Sequence, residues 1–95
     1  MSLRDKIQQD IDQALKKGEK QKLTVLRFLH AQIKDQEIAQ ERRELSDEEM
    51  IKLISKQIKK LKKSLPFFEK GKREDLIEKT KREIKILSLY LPEEF

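Results

Sequence analysis

Lys52, Lys56, Lys59 and Lys63 recur at steps of four, three and four. On a helix this spacing lines the four ammonium groups along one side, with no acid among them beyond the first turn. Continuing the count adds Lys70 and brings Phe67 beside it. Evenly spaced cations can follow a phosphate backbone by displacing its counterions, and an exposed aromatic ring can stack on an unpaired base. Lys81 and Lys85, four residues apart, offer a second basic patch. The same pattern has a plainer reading, because lysine on an outer helix face also serves helix propensity and solubility. Phe67 could equally pack against a bend in the helix or against a partner chain.

Catalytic chemistry finds little support. The sequence has one histidine and no cysteine, which excludes a two-histidine metal site, a thiolate zinc site, a disulfide scaffold and a cysteine nucleophile. Neither glycine belongs to a phosphate-cradling loop, and nothing resembles a catalytic triad. No metal and no cofactor are expected. His30 falls on an apolar face between Leu26 and Ile33, where a half-buried structural histidine is the ordinary outcome. Glu83 falls inside the apolar arc of the last helix, and a buried carboxylate needs a partner; Arg27, at the edge of the second helix's apolar face, is assigned that structural role. Glu37 with Glu41, and Arg42 with Arg43, read as ordinary solvated charge.

The elements that would position these residues are four helices. Ser2 and Asp5 suggest a cap, and Leu3, Ile7, Ile11, Ala14 and Leu15 follow at helical spacing until Gly18. A second helix starts near residues 19–22 and carries Leu23, Val25, Leu26, Phe28, Leu29 and Ile33. Residues 40–45 are polar and charged. Ser46-Asp47-Glu48-Glu49 is a capping box with acids in the first turn, and the stripe behind it is Met50, Leu53, Ile54, Gln57, Ile58, Leu61 and Leu65, extended to Phe68 as core. Pro66 cannot donate to the Lys62 carbonyl, so this third helix is expected to kink or break there, with Ser64 as the cap of any restart. Gly71 ends it. A fourth helix runs from about Arg73 to Tyr90, with Leu76, Ile77, Thr80, Ile84, Leu87, Tyr90 and Leu91 inward, and Pro92 closes it. The expected fold is all-α: a compact bundle of four helices, sequential helices antiparallel, forming a single domain over residues 1–95.

Charged residues are 43% of the chain and aromatics 5%, a composition close to disorder that the helical periodicity overrules. The formal charge of +5 favours acidic partners, nucleic acid first. No run approaches the roughly 20 apolar residues of a membrane span, the first residues carry no apolar signal core, and a cytoplasmic location and no membrane partner are expected.

Taken as a set, Ser2-Leu3-Arg4-Asp5-Lys6-Ile7, Leu23-Thr24-Val25-Leu26-Arg27 running to Ile33-Lys34, Leu45-Ser46-Asp47-Glu48-Glu49, Phe68-Glu69-Lys70-Gly71-Lys72-Arg73-Glu74-Asp75-Leu76 and Leu89-Tyr90-Leu91-Pro92 resemble the YqeY-like family in order and spacing, over nearly the whole chain. That family is similar to the C-terminal region of the GatB subunit of tRNA-dependent amidotransferases. In those enzymes the ATP-dependent chemistry belongs to other domains and subunits, while the similar region helps hold tRNA. The resemblance implies a tRNA-associated accessory module that is not itself an enzyme; a carbon–nitrogen ligase activity with glutamine as donor would attach to it by similarity only. Arg27, Lys34, Gly71, Asp75 and Tyr90 match family positions with mostly structural roles, whereas Pro66 and His30 depart from the pattern. Family members usually continue past the Tyr-Leu-Pro segment into a second helical domain of roughly 50 residues, expected to be absent here because the sequence stops at Phe95. The leading expectation is RNA binding through the lysine face. The alternative is a module that docks on an amidotransferase or other protein through an apolar patch near Phe67 or Phe95, without touching RNA.

Overall fold

Ser2 is extended, and its hydroxyl accepts the Asp5 amide at 3.2 Å, satisfying one of the open N–H groups at the start of α1, Leu3–Lys17. Helices α2, Lys20–Ala39, α3, Asp47–Lys70, and α4, Glu74–Ser88, follow. This computed structural model describes residues 2–92, and there is no strand among them. The all-α expectation of four helices holds. The chain divides into two units, Met1–Leu53 and Ile54–Phe95, and the boundary falls inside α3.

In the first unit α1 packs on α2. Ile7, Ile11 and Ala14 of α1, Leu26, Leu29 and Ile33 of α2, and Leu45 and Met50 are buried. Of the other apolar residues on these helices, Leu3, Leu23 and Val25 are half-buried, whereas Leu15 and Phe28 are each 58% exposed. At about 100° per residue Phe28 lies roughly 200° from Leu26, and Leu15 roughly 80° from Ile7, so each projects beyond the face its helix buries. Leu45 was grouped with a polar stretch but is buried. It precedes the Ser46 cap and pairs by position with Met50, the two sites of a hydrophobic staple.

The capping box at α3 closes reciprocally. The Glu49 amide donates to Ser46 Oγ at 3.2 Å, and the Ser46 amide donates to Glu49 Oε1 at 3.1 Å. Charges read as merely solvated turn out to fix the same connection. Arg43 grips Glu49 with both guanidinium nitrogens, at 3.1 and 3.0 Å. Glu37 Oε2 accepts the Leu45 amide at 2.8 Å and pairs with Arg4, which sets the start of α1 beside the end of α2. The Leu3 amide also donates to Asp47 Oδ1 at 3.3 Å. The sequence spacing hid these contacts because most of them join different elements.

Both carboxylates therefore release their protons more readily than usual. The Arg43 hydrogen bonds, then the Ser46 amide, lower Glu49 from 4.5 to about 2. The Leu45 amide, followed by Arg4, lowers Glu37. A carboxylate whose folded pKa is depressed contributes stability that is complete above its unfolded value and is lost as pH falls toward its folded one. Urea midpoints should thus hold steady from pH 7 to about 5 and fall progressively from there toward pH 2. The double change Glu37→Gln/Glu49→Gln should lower the neutral-pH midpoint and flatten the acid limb; an acid limb as steep as the parent's would show that other carboxylates govern it.

Helix ends follow one device with different residues. After α1 the Glu19 amide donates to the Ala14 carbonyl at 2.9 Å and the Gly18 amide to Leu15 at 3.3 Å, with Gly18 left-handed at φ 70. After α2 the corresponding bonds run from Arg42 to Glu37 and from Glu41 to Ile38, and Glu41 and Arg42 take φ 58 and 67. After α3 they run from Arg73 to Phe68 and from Lys72 to Glu69. The left-handed residue is Lys72, at φ 53, and not the adjacent Gly71. Gly71 ends the helix as the sequence suggests, but one position too early to supply the positive φ. Left-handed backbone costs a side-chain-bearing residue about 1–2 kcal/mol. Lys72→Gly should raise stability by about 0.5–1 kcal/mol in urea unfolding, after the added freedom of the unfolded chain is deducted. A Cβ on Gly71 would meet nothing closer than 3.6 Å, so Gly71→Ala combined with it should keep the gain.

Helix α3 passes through Pro66 as one element, and Ser64 donates its hydroxyl back to the Lys60 carbonyl at 3.2 Å instead of capping a new helix. In the second unit Ile54, Ile58, Thr80, Leu87 and Tyr90 are buried. Phe68, expected in the core, is half-buried, as are Leu61 and Leu65.

Candidate nucleic-acid interface

Helix α3 presents Lys52, Lys56, Lys59, Lys63, Phe67 and Lys70 to solvent, all of them exposed. At about 100° per residue they fall within an arc of roughly 80°, and at 1.5 Å per residue the row from Lys52 to Lys70 runs roughly 27 Å. Among the described residues none of these five lysines takes part in an ion pair. From Met50 to Phe68 the helix contains six lysines and no acid, and Glu48 and Glu69 flank that stretch. Phe67 is 74% exposed, the most exposed large apolar side chain described. On α4, Lys81 and Lys85 are exposed as well.

Charge is divided unequally between the units. Residues 1–53 hold eleven basic and eleven acidic side chains, whereas residues 54–95 hold twelve basic and seven acidic. The whole formal charge of +5 therefore belongs to the second unit, which carries every lysine of the candidate face except Lys52. The first unit is neutral and spends several of its charges on internal pairs.

The remaining singled-out residues lie elsewhere. His30 is half-buried, and burial, then Lys34 and Arg4, lower its pKa against the pull of Glu37, so it is neutral at pH 7 and adds nothing to the basic surface. Arg27, in the first unit, is exposed, and Glu83, in the second, is half-buried. Phe95 lies outside the described residues. Among the described residues no cluster of three or more acidic or histidine side chains is placed to hold a metal ion, and no helix is long and apolar enough to cross a membrane.

A search against family profiles matches the Yqey-like proteins over residues 4–95. The chain belongs to the YqeY-like family. A curated relative of this YqeY-like chain is the Altered inheritance of mitochondria protein 41, mitochondrial, of Kluyveromyces lactis, which is 34% identical over 84 residues. The match covers 88% of this chain and 45% of the relative, so the chain spans about half the length of the protein it resembles. The relative also corrects the expected location. It is a mitochondrial protein, which points to mitochondria and away from the cytoplasm. The absence of cysteine fits a reducing compartment and does not separate one such compartment from another.

Proposed function

We propose that this YqeY-like chain is a non-catalytic accessory module related to the tRNA-dependent amidotransferases, and that it holds tRNA or another RNA through Lys52, Lys56, Lys59, Lys63 and Lys70, with Lys81 and Lys85 in support. The observation that carries this reading is the concentration of the entire net charge in the unit that bears the unpaired lysine row. A merely solubilising surface would have no reason to leave one unit neutral and load the other. Family membership supports a part without chemistry of its own, and the similarity to the GatB C-terminal region supports RNA as the polyanion.

The test is binding of the purified chain to unfractionated tRNA across a salt series. Five phosphate contacts on flexible RNA give a slope of about −3.5 in log affinity against log salt, or roughly a hundredfold loss between 50 and 200 mM. Absence of binding at 50 mM, or an affinity indifferent to salt, overturns the proposal. A second reading, docking on a protein partner, draws on a separate observation: Leu15, Phe28 and Ile38 are 58–62% exposed on the neutral unit. That reading gains if tRNA fails to bind while a partner enzyme is retained by the wild-type chain and lost with Phe28→Ala.

A further inference from the structure

Phe67 interrupts the lysine row at one point, with Lys63 four residues before it and Lys70 three after, so all three share one face of α3. The rise per residue puts Lys63 about 6 Å to one side of the ring along the helix axis and Lys70 about 4.5 Å to the other. The ring is 74% exposed, and its neighbour Pro66 is also exposed, leaving open space around it. We infer that Phe67 is a stacking platform for an unpaired base, and that the lysine face selects single-stranded over duplex RNA. This rests on the RNA reading proposed above and specifies the form of RNA it takes.

Charge alone does not distinguish the two forms, because lysines can track the phosphates of either. The aromatic ring does. In a duplex the base faces are covered by their neighbours, so a ring set among phosphate-binding lysines meets only sugars and charged oxygens and gains nothing. In a single strand one base can turn onto the ring while the phosphates on either side of it reach Lys63 and Lys70, so stacking and charge neutralisation act on the same nucleotide. Apolar area that would otherwise stay in water is covered in the same step.

The experiment measures fluorescence anisotropy of two labelled RNAs, a twelve-nucleotide single strand and a blunt-ended twelve-base-pair duplex without a loop, at 50 mM salt with the full chain. The single strand should bind more tightly. Phe67→Ala should weaken the single strand roughly five- to hundredfold, and change the duplex less than about twofold. Phe67→Trp should restore single-strand affinity, and its indole fluorescence should be quenched by the stacked base. Because the side chain is exposed, neither variant should disturb folding, which circular dichroism checks. If both RNAs bind with equal affinity and neither responds to Phe67→Ala, the platform is wrong while RNA binding stands. If Phe67→Ala affects only retention of a protein partner, the ring belongs to protein docking. If neither RNA binds at low salt, the platform falls together with the RNA reading.

Discussion

Reversing three charges at once, with Lys56→Glu/Lys59→Glu/Lys63→Glu, should abolish tRNA binding at physiological salt while leaving the helices intact. Replacing the three by neutral residues would already lower the salt slope by about 2, and reversal adds repulsion at each phosphate they would have met. The change takes the second unit from a formal +5 to −1. Folding should tolerate it for three reasons. All three side chains are exposed, none is in an ion pair among the described residues, and glutamate is about as good a helix former as lysine. Circular dichroism and a urea midpoint establish that the variant is folded; filter binding to tRNA at 50 and 150 mM salt then reads the effect. A folded variant that binds as the wild type does would clear the α3 row of any role. A variant that keeps weak binding with a reduced salt slope would point to Lys81 and Lys85 as the remaining contacts.

The lysine row was legible in the sequence because it depends on one helix only. Spacing of four, three and four reads identically in the sequence and on α3, and a helix keeps such residues exposed whenever its opposite face is buried. The partition of charge between units was not legible, since the boundary lies between Leu53 and Ile54 inside a continuous helix, where no glycine, proline or polar stretch marks it. Helix starts were legible for a similar reason: Ser2 with Asp5 and Ser46 with Glu49 are contacts between near neighbours. The ends were read through glycine, which identified Gly18 correctly but gave no sign of the left-handed Glu41 and Lys72. The reading failed most where distant elements meet. Glu37 looked solvated because its partners, Arg4 and the Leu45 amide, come from the first helix and from a loop eight residues away.

Apolar residues on α2 show the same division, and they yield the second large effect. Leu26→Ala should cost about 2–5 kcal/mol, whereas Phe28→Ala, which removes a larger side chain, should stay within about 0.5 kcal/mol. Leu26 is 0% exposed, so its truncation removes three buried side-chain carbons and leaves a cavity that α1 and α2 cannot fully close. Phe28 is 58% exposed on the far side of the helix, where alanine removes surface already in water and improves helix propensity. A chain of this length is held by only about 5–14 kcal/mol, so the first change consumes a large share of it and the second almost none. Urea unfolding followed at 222 nm separates them. A Phe28→Ala loss comparable to that of Leu26→Ala would mean the ring is covered in the free chain, and the exposed apolar surface on which the protein-docking reading draws would then be lost.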